Sequence, residues 1–106
     1  MIRRSLAALA VLAVFATPAL ADAIDGDWCA PEGGKSLSID GPRIRTPGGA
    51  TIQGQYSRHH FNYTAPAGDP VPGAEVQMIL MGEYRVRVVV KGGTDTIWRR
   101  CPPGTS

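Results

Sequence analysis

The chain's two cysteines, Cys29 and Cys101, stand near opposite ends of everything in it that is patterned to fold. Each has a tryptophan close before it, in Gly26-Asp27-Trp28-Cys29 and in Trp98-Arg99-Arg100-Cys101. Two cysteines allow one pairing, so a fold that uses it must bring its first and last segments side by side. Without C-x-x-C spacing a redox or metal-binding pair is disfavoured. In an exported chain a structural disulfide is the expected use.

Export is read from the first residues. Arg3 and Arg4 precede an uncharged apolar run from Leu6 to Phe15, followed by Pro18 and the small-residue site Ala19-Leu20-Ala21. That is the order of a secretory signal peptide. Residues 1–21 are therefore expected to be removed after Ala21, leaving residues 22–106 as one small periplasmic or secreted domain. The apolar run is too short for the ~20 residues that span a bilayer, so no transmembrane segment is expected in the mature chain. Asp22, where a lipoprotein would carry its cysteine, excludes a lipid anchor. Two of the eleven Lys and Arg residues fall in the leader, so the remainder balances nine basic against nine acidic side chains. A neutral domain has no long-range field for nucleic acid, and no nucleic-acid partner is expected. So short a chain buries only about 60–65% of its unfolded surface, and a disulfide supplements the thin core that results.

Period-two alternation runs through the rest. Leu37 and Ile39 share one face of residues 36–40, Ile44 points in between Arg43 and Arg45, and Val76, Met78 and Leu80 share another face. Tyr84, Val86, Val88 and Val90 are expected inside, with Arg85 and Arg87 outside. Residues 55–64 read as the longest strand, with Phe61 and Tyr63 towards the core and His59 on the same face. Glycine and proline turns separate the segments, and no helical repeat follows the leader. The fold expected is all-β: a small antiparallel meander of about eight short strands, closed or nearly closed into a barrel with one disulfide, Cys29–Cys101. Closure removes exposed edges. An eight-stranded barrel is just wide enough for side chains to fill, so Tyr63, Met78, Tyr84 and Val88 are expected to leave little cavity.

Gly26-x-Trp28 early, with Arg99 and Arg100 in the last strand, resembles the pattern of lipocalins and the wider calycin barrels. The resemblance implies that Trp28 packs under the barrel floor against Arg99 or Arg100, through a cation–π contact. It also implies carriage of a small ligand, in a chain about half a lipocalin's length. The architecture is similar to that of small periplasmic lysozyme inhibitors, whose Ser-Gly and tyrosine loop motif is missing here. The chain also resembles short exported bacterial proteins of unknown function, which supplies no activity.

Other motifs carry less chemistry. His59 and His60 are strand neighbours and point to opposite faces, so they cannot chelate one metal; His59 is expected to pack beside Phe61 and Tyr63, and His60 to face solvent. Gly34-Lys35-Ser36 lacks the glycine and the helix of a phosphate loop. Asp22, Asp25 and Asp27 match no cation-binding spacing. No serine elbow or zinc-protease motif is present. No catalytic residue, metal or cofactor is expected. The function that follows is a non-enzymatic periplasmic binding or accessory protein, with an unidentified protein or small-molecule partner. Its candidate binding surface is Tyr56, Arg58, His60 and Pro70. The alternatives are an inhibitor of an enzyme such as a lysozyme, using the proline loop at 65–73, and a small-ligand carrier, which requires a cavity.

Overall fold

The computed structural model describes residues 23–103, so the expected leader and the end of the tail lie outside the described residues. The described residues form nine strands and no helix. They are β1 (Gly26–Cys29), β2 (Ser36–Asp40), β3 (Arg43–Arg45), β4 (Thr51–Gln53), β5 (Gln55–Ser57), β6 (His60–Thr64), β7 (Glu75–Leu80), β8 (Arg85–Val90) and β9 (Asp95–Arg100). All belong to one antiparallel sheet in the order β4-β3-β2-β1-β9-β8-β7-β6-β5.

Every strand pairs with its neighbours in sequence, except that β4 and β5 do not pair with each other and β1 pairs with β9. Only Gly54 separates β4 from β5, and the two are one bent arm. Its first half pairs with β3 and its second with β6, so the chain itself joins the two sheet edges. The result is a nearly closed barrel. Counted as arms it has eight members; the expected number of about eight rests on joining residues 55–64, whereas the structure joins β4 to β5 and separates β5 from β6.

The bend needs a residue without a side chain. Gly54 N–H donates to the Pro42 carbonyl at 2.9 Å. A Cβ added at Gly54 would stand 2.5 Å from both the Asn62 carbonyl oxygen and the Phe61 ring, the usual setting of a glycine at a barrel corner. Gly54→Val is expected to lower stability by about 1–3 kcal/mol, the range for overpacking. A urea midpoint indistinguishable from that of the native protein would show the corner to be loose.

Alternation packs the interior as the pattern predicts. Trp28, Leu37, Ile39, Ile44, Phe61, Tyr63, Val76, Met78, Val86, Val88 and Trp98 are all buried, while Arg43, Arg45, Arg85 and Arg87 face out. Two expectations fail. Residues 55–64 are not one strand: Ser57 pairs with His60 across a two-residue turn at Arg58-His59, and His59 is exposed rather than packed. No glycine or proline marks this turn, and neither Arg58 nor His59 has positive φ, so it lacks the signature of a tight hairpin. Tertiary bonds hold it instead, from Ile24 N–H to the Arg58 carbonyl at 2.7 Å and from Leu80 N–H to the His59 carbonyl at 2.9 Å. Tyr84 is 68% exposed. It belongs to a turn closed by Met81 N–H on the Arg85 carbonyl at 2.8 Å, which removes it from the alternation of β8. Residues 23–25 form the lead-in to β1, in which Ala23 is buried and Ile24 fully so.

Candidate binding site at the open end of the barrel

An antiparallel meander places its turns alternately at two ends. Residues 23–25 and the turns after β2, β5 and β7 gather at one end. The turns after β1, β3, β6 and β8 gather at the other.

The first end is closed. Trp28 pairs directly with Arg100 across β1 and β9, and the guanidinium carbon lies 4.2 Å from the indole centroid. From there Arg100 Nη2 donates to the Ala23 carbonyl at 2.8 Å, Nη1 to the Asp25 carbonyl at 2.5 Å, and Nε to the Glu83 carbonyl at 2.7 Å. One side chain thus ties the lead-in and the β7–β8 turn to the end of β9. Burial lowers the pKa of the guanidinium from its ordinary value, against the nearby charge of Asp25 and Glu83. Trp28 Nε1–H donates to the Ile24 carbonyl at 2.9 Å. Gly26 has φ 123°, and a Cβ there would stand 2.5 Å from Arg100 Nη1. Both the backbone and the close approach therefore call for glycine two residues before the tryptophan. Arg99 is not part of this floor. It pairs with Cys29 and Arg85, is exposed, and points outward as a strand neighbour of Arg100 must. The Cys29–Cys101 disulfide is formed beside it, with the Cα atoms 5.0 Å apart.

Tyr56, Arg58 and His60 also belong to the closed end, on β5, at the hairpin turn and at the start of β6. Tyr56 donates its hydroxyl to Asp25, and that hydrogen bond raises the phenol pKa above its usual value. The other Asp25 oxygen accepts from Gly41 N–H at 2.8 Å, and Asp27 accepts from the Ser38 hydroxyl at 2.6 Å. Asp25 thus fastens the β2–β3 turn, and Asp27 bridges β1 and β2. Pro70 lies at the opposite end, in the β6–β7 loop. The expected surface of Tyr56, Arg58, His60 and Pro70 is therefore not a single surface. Its first three members share the closed end and Pro70 stands apart, since proline content alone does not say at which end a loop falls.

The second end is open. It leads into a pocket of about 280 Å³ whose walls include Leu37, Tyr63, Val76, Val88, Val90 and Trp98. Glu32 and Lys35 come to its rim from the β1–β2 turn. The expectation of a filled interior is corrected here. Tyr63, Met78 and Val88 are buried in the core, Tyr63 and Val88 also bordering the pocket, but Tyr84 lies outside the barrel, and inward positions near the mouth are as small as Ala65, Val76, Val90 and Thr96. That run of small inward residues was the signal in the sequence. Its meaning depended on knowing that these positions share one end.

The 65–73 loop folds against the mouth rather than projecting from it. Ala65 and Asp69 are buried, Asp69 being only 6% exposed. Asp69 Oδ1 accepts from the Thr46 hydroxyl at 2.6 Å and from Gly48 N–H at 3.0 Å, which pins the loop to the β3–β4 turn. Gly73 N–H closes the loop on the Ala65 carbonyl at 2.8 Å. Burial, and secondarily the charge of Asp69, pushes the Tyr63 hydroxyl well above the ordinary phenol value. Its polar and titratable side chains are Glu32, Lys35, Tyr63, Asp69, Thr94 and Thr96, set among apolar walls. What such a wall can do is exclude water from an apolar body and orient it against a few polar groups at the rim.

No protein-family model matches the chain, and no curated protein or solved structure matches it either. The class of protein is defined by its fold alone: an all-β, nearly closed antiparallel barrel with a single disulfide among the described residues.

Proposed function

We propose that the protein is an exported, non-enzymatic binding protein that holds a small, largely apolar ligand in the mouth of its barrel. The observation that carries this reading is the asymmetry of the two ends. Arg100 and Ile24 close one, and an apolar pocket of about 280 Å³ opens at the other. Export is supported by the leader pattern and by a disulfide that suits an oxidising compartment. The likeness of Gly26-x-Trp28 and Arg100 to the lipocalin floor supports the same reading, since that resemblance implies carriage of a small ligand. The inhibitor alternative needed a protruding loop, and the 65–73 loop gives it no support.

The volume bounds the ligand. An apolar cavity of about 150 Å³ holds benzene, and the pocket here is less than twice that. One ring with a short chain fits. In calorimetric titration 2-phenylethanol is expected to bind with a Kd of roughly a millimolar or tighter, typical of good small ligands. Burial of apolar surface should give a negative heat-capacity change. Val90→Phe, which adds a ring at a half-buried wall position, should weaken binding about tenfold or more, since displaced volume has nowhere to go. The absence of binding up to the solubility limit of the ligand would sink the proposal.

A further inference from the structure

Asp69 is more deeply buried than a loop fastener needs to be. It is 6% exposed and lines the pocket beside Tyr63 and Trp98. Its side chain accepts from Thr46 and Gly48, both at one oxygen, Oδ1. Asp69 has no cationic partner among the described residues, unlike Asp95, which pairs with Arg87 on the outer face of β8 and β9. Lys35 lines the same pocket but makes no ion pair with Asp69, and Glu32 contributes a second carboxylate. The pocket lining therefore carries two carboxylates against one ammonium group.

A buried carboxylate without a counter-ion is costly, and a cation that supplies one gains a charge-assisted hydrogen bond in a medium of low dielectric constant. Aromatic faces beside it add attraction for the same charge. The Oδ2 atom is left to receive such a donor, while Oδ1 stays occupied by the turn.

We infer that the pocket selects a small cationic amine with an apolar or aromatic body, the amine meeting Asp69 and the body lying along Tyr63, Val88 and Trp98. The inference rests on the pocket being a binding site and goes on to name the ligand's charge. It predicts discrimination among molecules of one shape.

The test is calorimetric titration of the protein with 2-phenylethylamine, 2-phenylethanol and phenylacetate, which share a ring and chain length but are cationic, neutral and anionic. The amine is expected to bind at least about tenfold tighter than the alcohol, and phenylacetate weakest. Asp69→Asn keeps an acceptor for Thr46 and Gly48, so it should still bind the alcohol while losing the preference for the amine. Glu32→Gln, at the rim, should keep most of that preference. An alcohol that binds as tightly as the amine would overturn the inference and leave the pocket reading standing. Silence from all three ligands would overturn both. Should Asp69→Asn not fold, the native series decides alone; a preference that survives in a folded Asp69→Asn protein would remove Asp69 from the site.

Discussion

Reducing the Cys29–Cys101 disulfide is expected to remove about 4 kcal/mol of stability. The two cysteines are 72 residues apart, and in the chain-entropy model a loop of that length confines the unfolded chain by about that amount. The figure is large beside the ~0.05–0.15 kcal/mol per residue by which natural domains are stable. Its place in the fold adds to its weight. β1 and β9 meet through two paired positions, Trp28 with Arg100 and Cys29 with Arg99, whereas β8 and β9 share five. The disulfide therefore fastens a short seam of the barrel. With a urea dependence of roughly 1–2 kcal/mol/M, the midpoint should fall by roughly 2–4 M on reduction. An unchanged midpoint would mean that the seam holds through its backbone pairs and the Arg100 floor.

Replacing Arg100 with alanine is expected to cost about 3 kcal/mol. Three donors on one guanidinium satisfy the carbonyls of Ala23, Asp25 and Glu83, and hydrogen bonds to charged groups contribute about 1.5–3 kcal/mol each when intact. Arg100 is half-buried, so water can replace part of what is lost. That keeps the expected cost well below the sum. The indole of Trp28 would also lose the cation that covers it at 4.2 Å. Arg100→Lys tests the geometry, because a point charge cannot serve three diverging acceptors as a planar fork does; it should recover less than half of the loss. Urea denaturation followed by tryptophan emission reads both effects. An alanine variant within about 0.5 kcal/mol of the native protein, as at an ordinary surface site, would show that the floor is closed by Ile24 alone.

Local chemistry made much of this fold legible. Alternation at Leu37 and Ile39, at Val76 and Met78, and at Val86 and Val88 placed the right side chains inside. Glycine and proline marked most of the turns. The staple followed from there being only two cysteines. What escaped was set by tertiary contacts. The Arg58-His59 turn is held by bonds to its backbone from Ile24 and Leu80, which no local pattern announces. Arg99 and Arg100 look alike in sequence, and the register of β9 against β1 decides which one faces Trp28. The pocket was hidden for a related reason. Its walls come from five strands and its rim from four turns, and whether inward residues fill a barrel depends on where each one sits along the axis. Asp69 read as one polar residue in a proline loop. Only its burial against Thr46 and beside Tyr63 gives it a role in the site.

The most direct test of the open-mouthed barrel is a map of amide chemical shifts as 2-phenylethanol is added to the oxidised protein. The perturbed residues should cluster at Leu37, Tyr63, Val76, Val88, Val90 and Trp98, with the β6–β7 loop around Asp69. Ile24, Tyr56, Arg58 and Arg100 at the closed end should stay still. A map with no saturable shifts, or one centred on the closed end, would contradict the assignment of the pocket as the binding site.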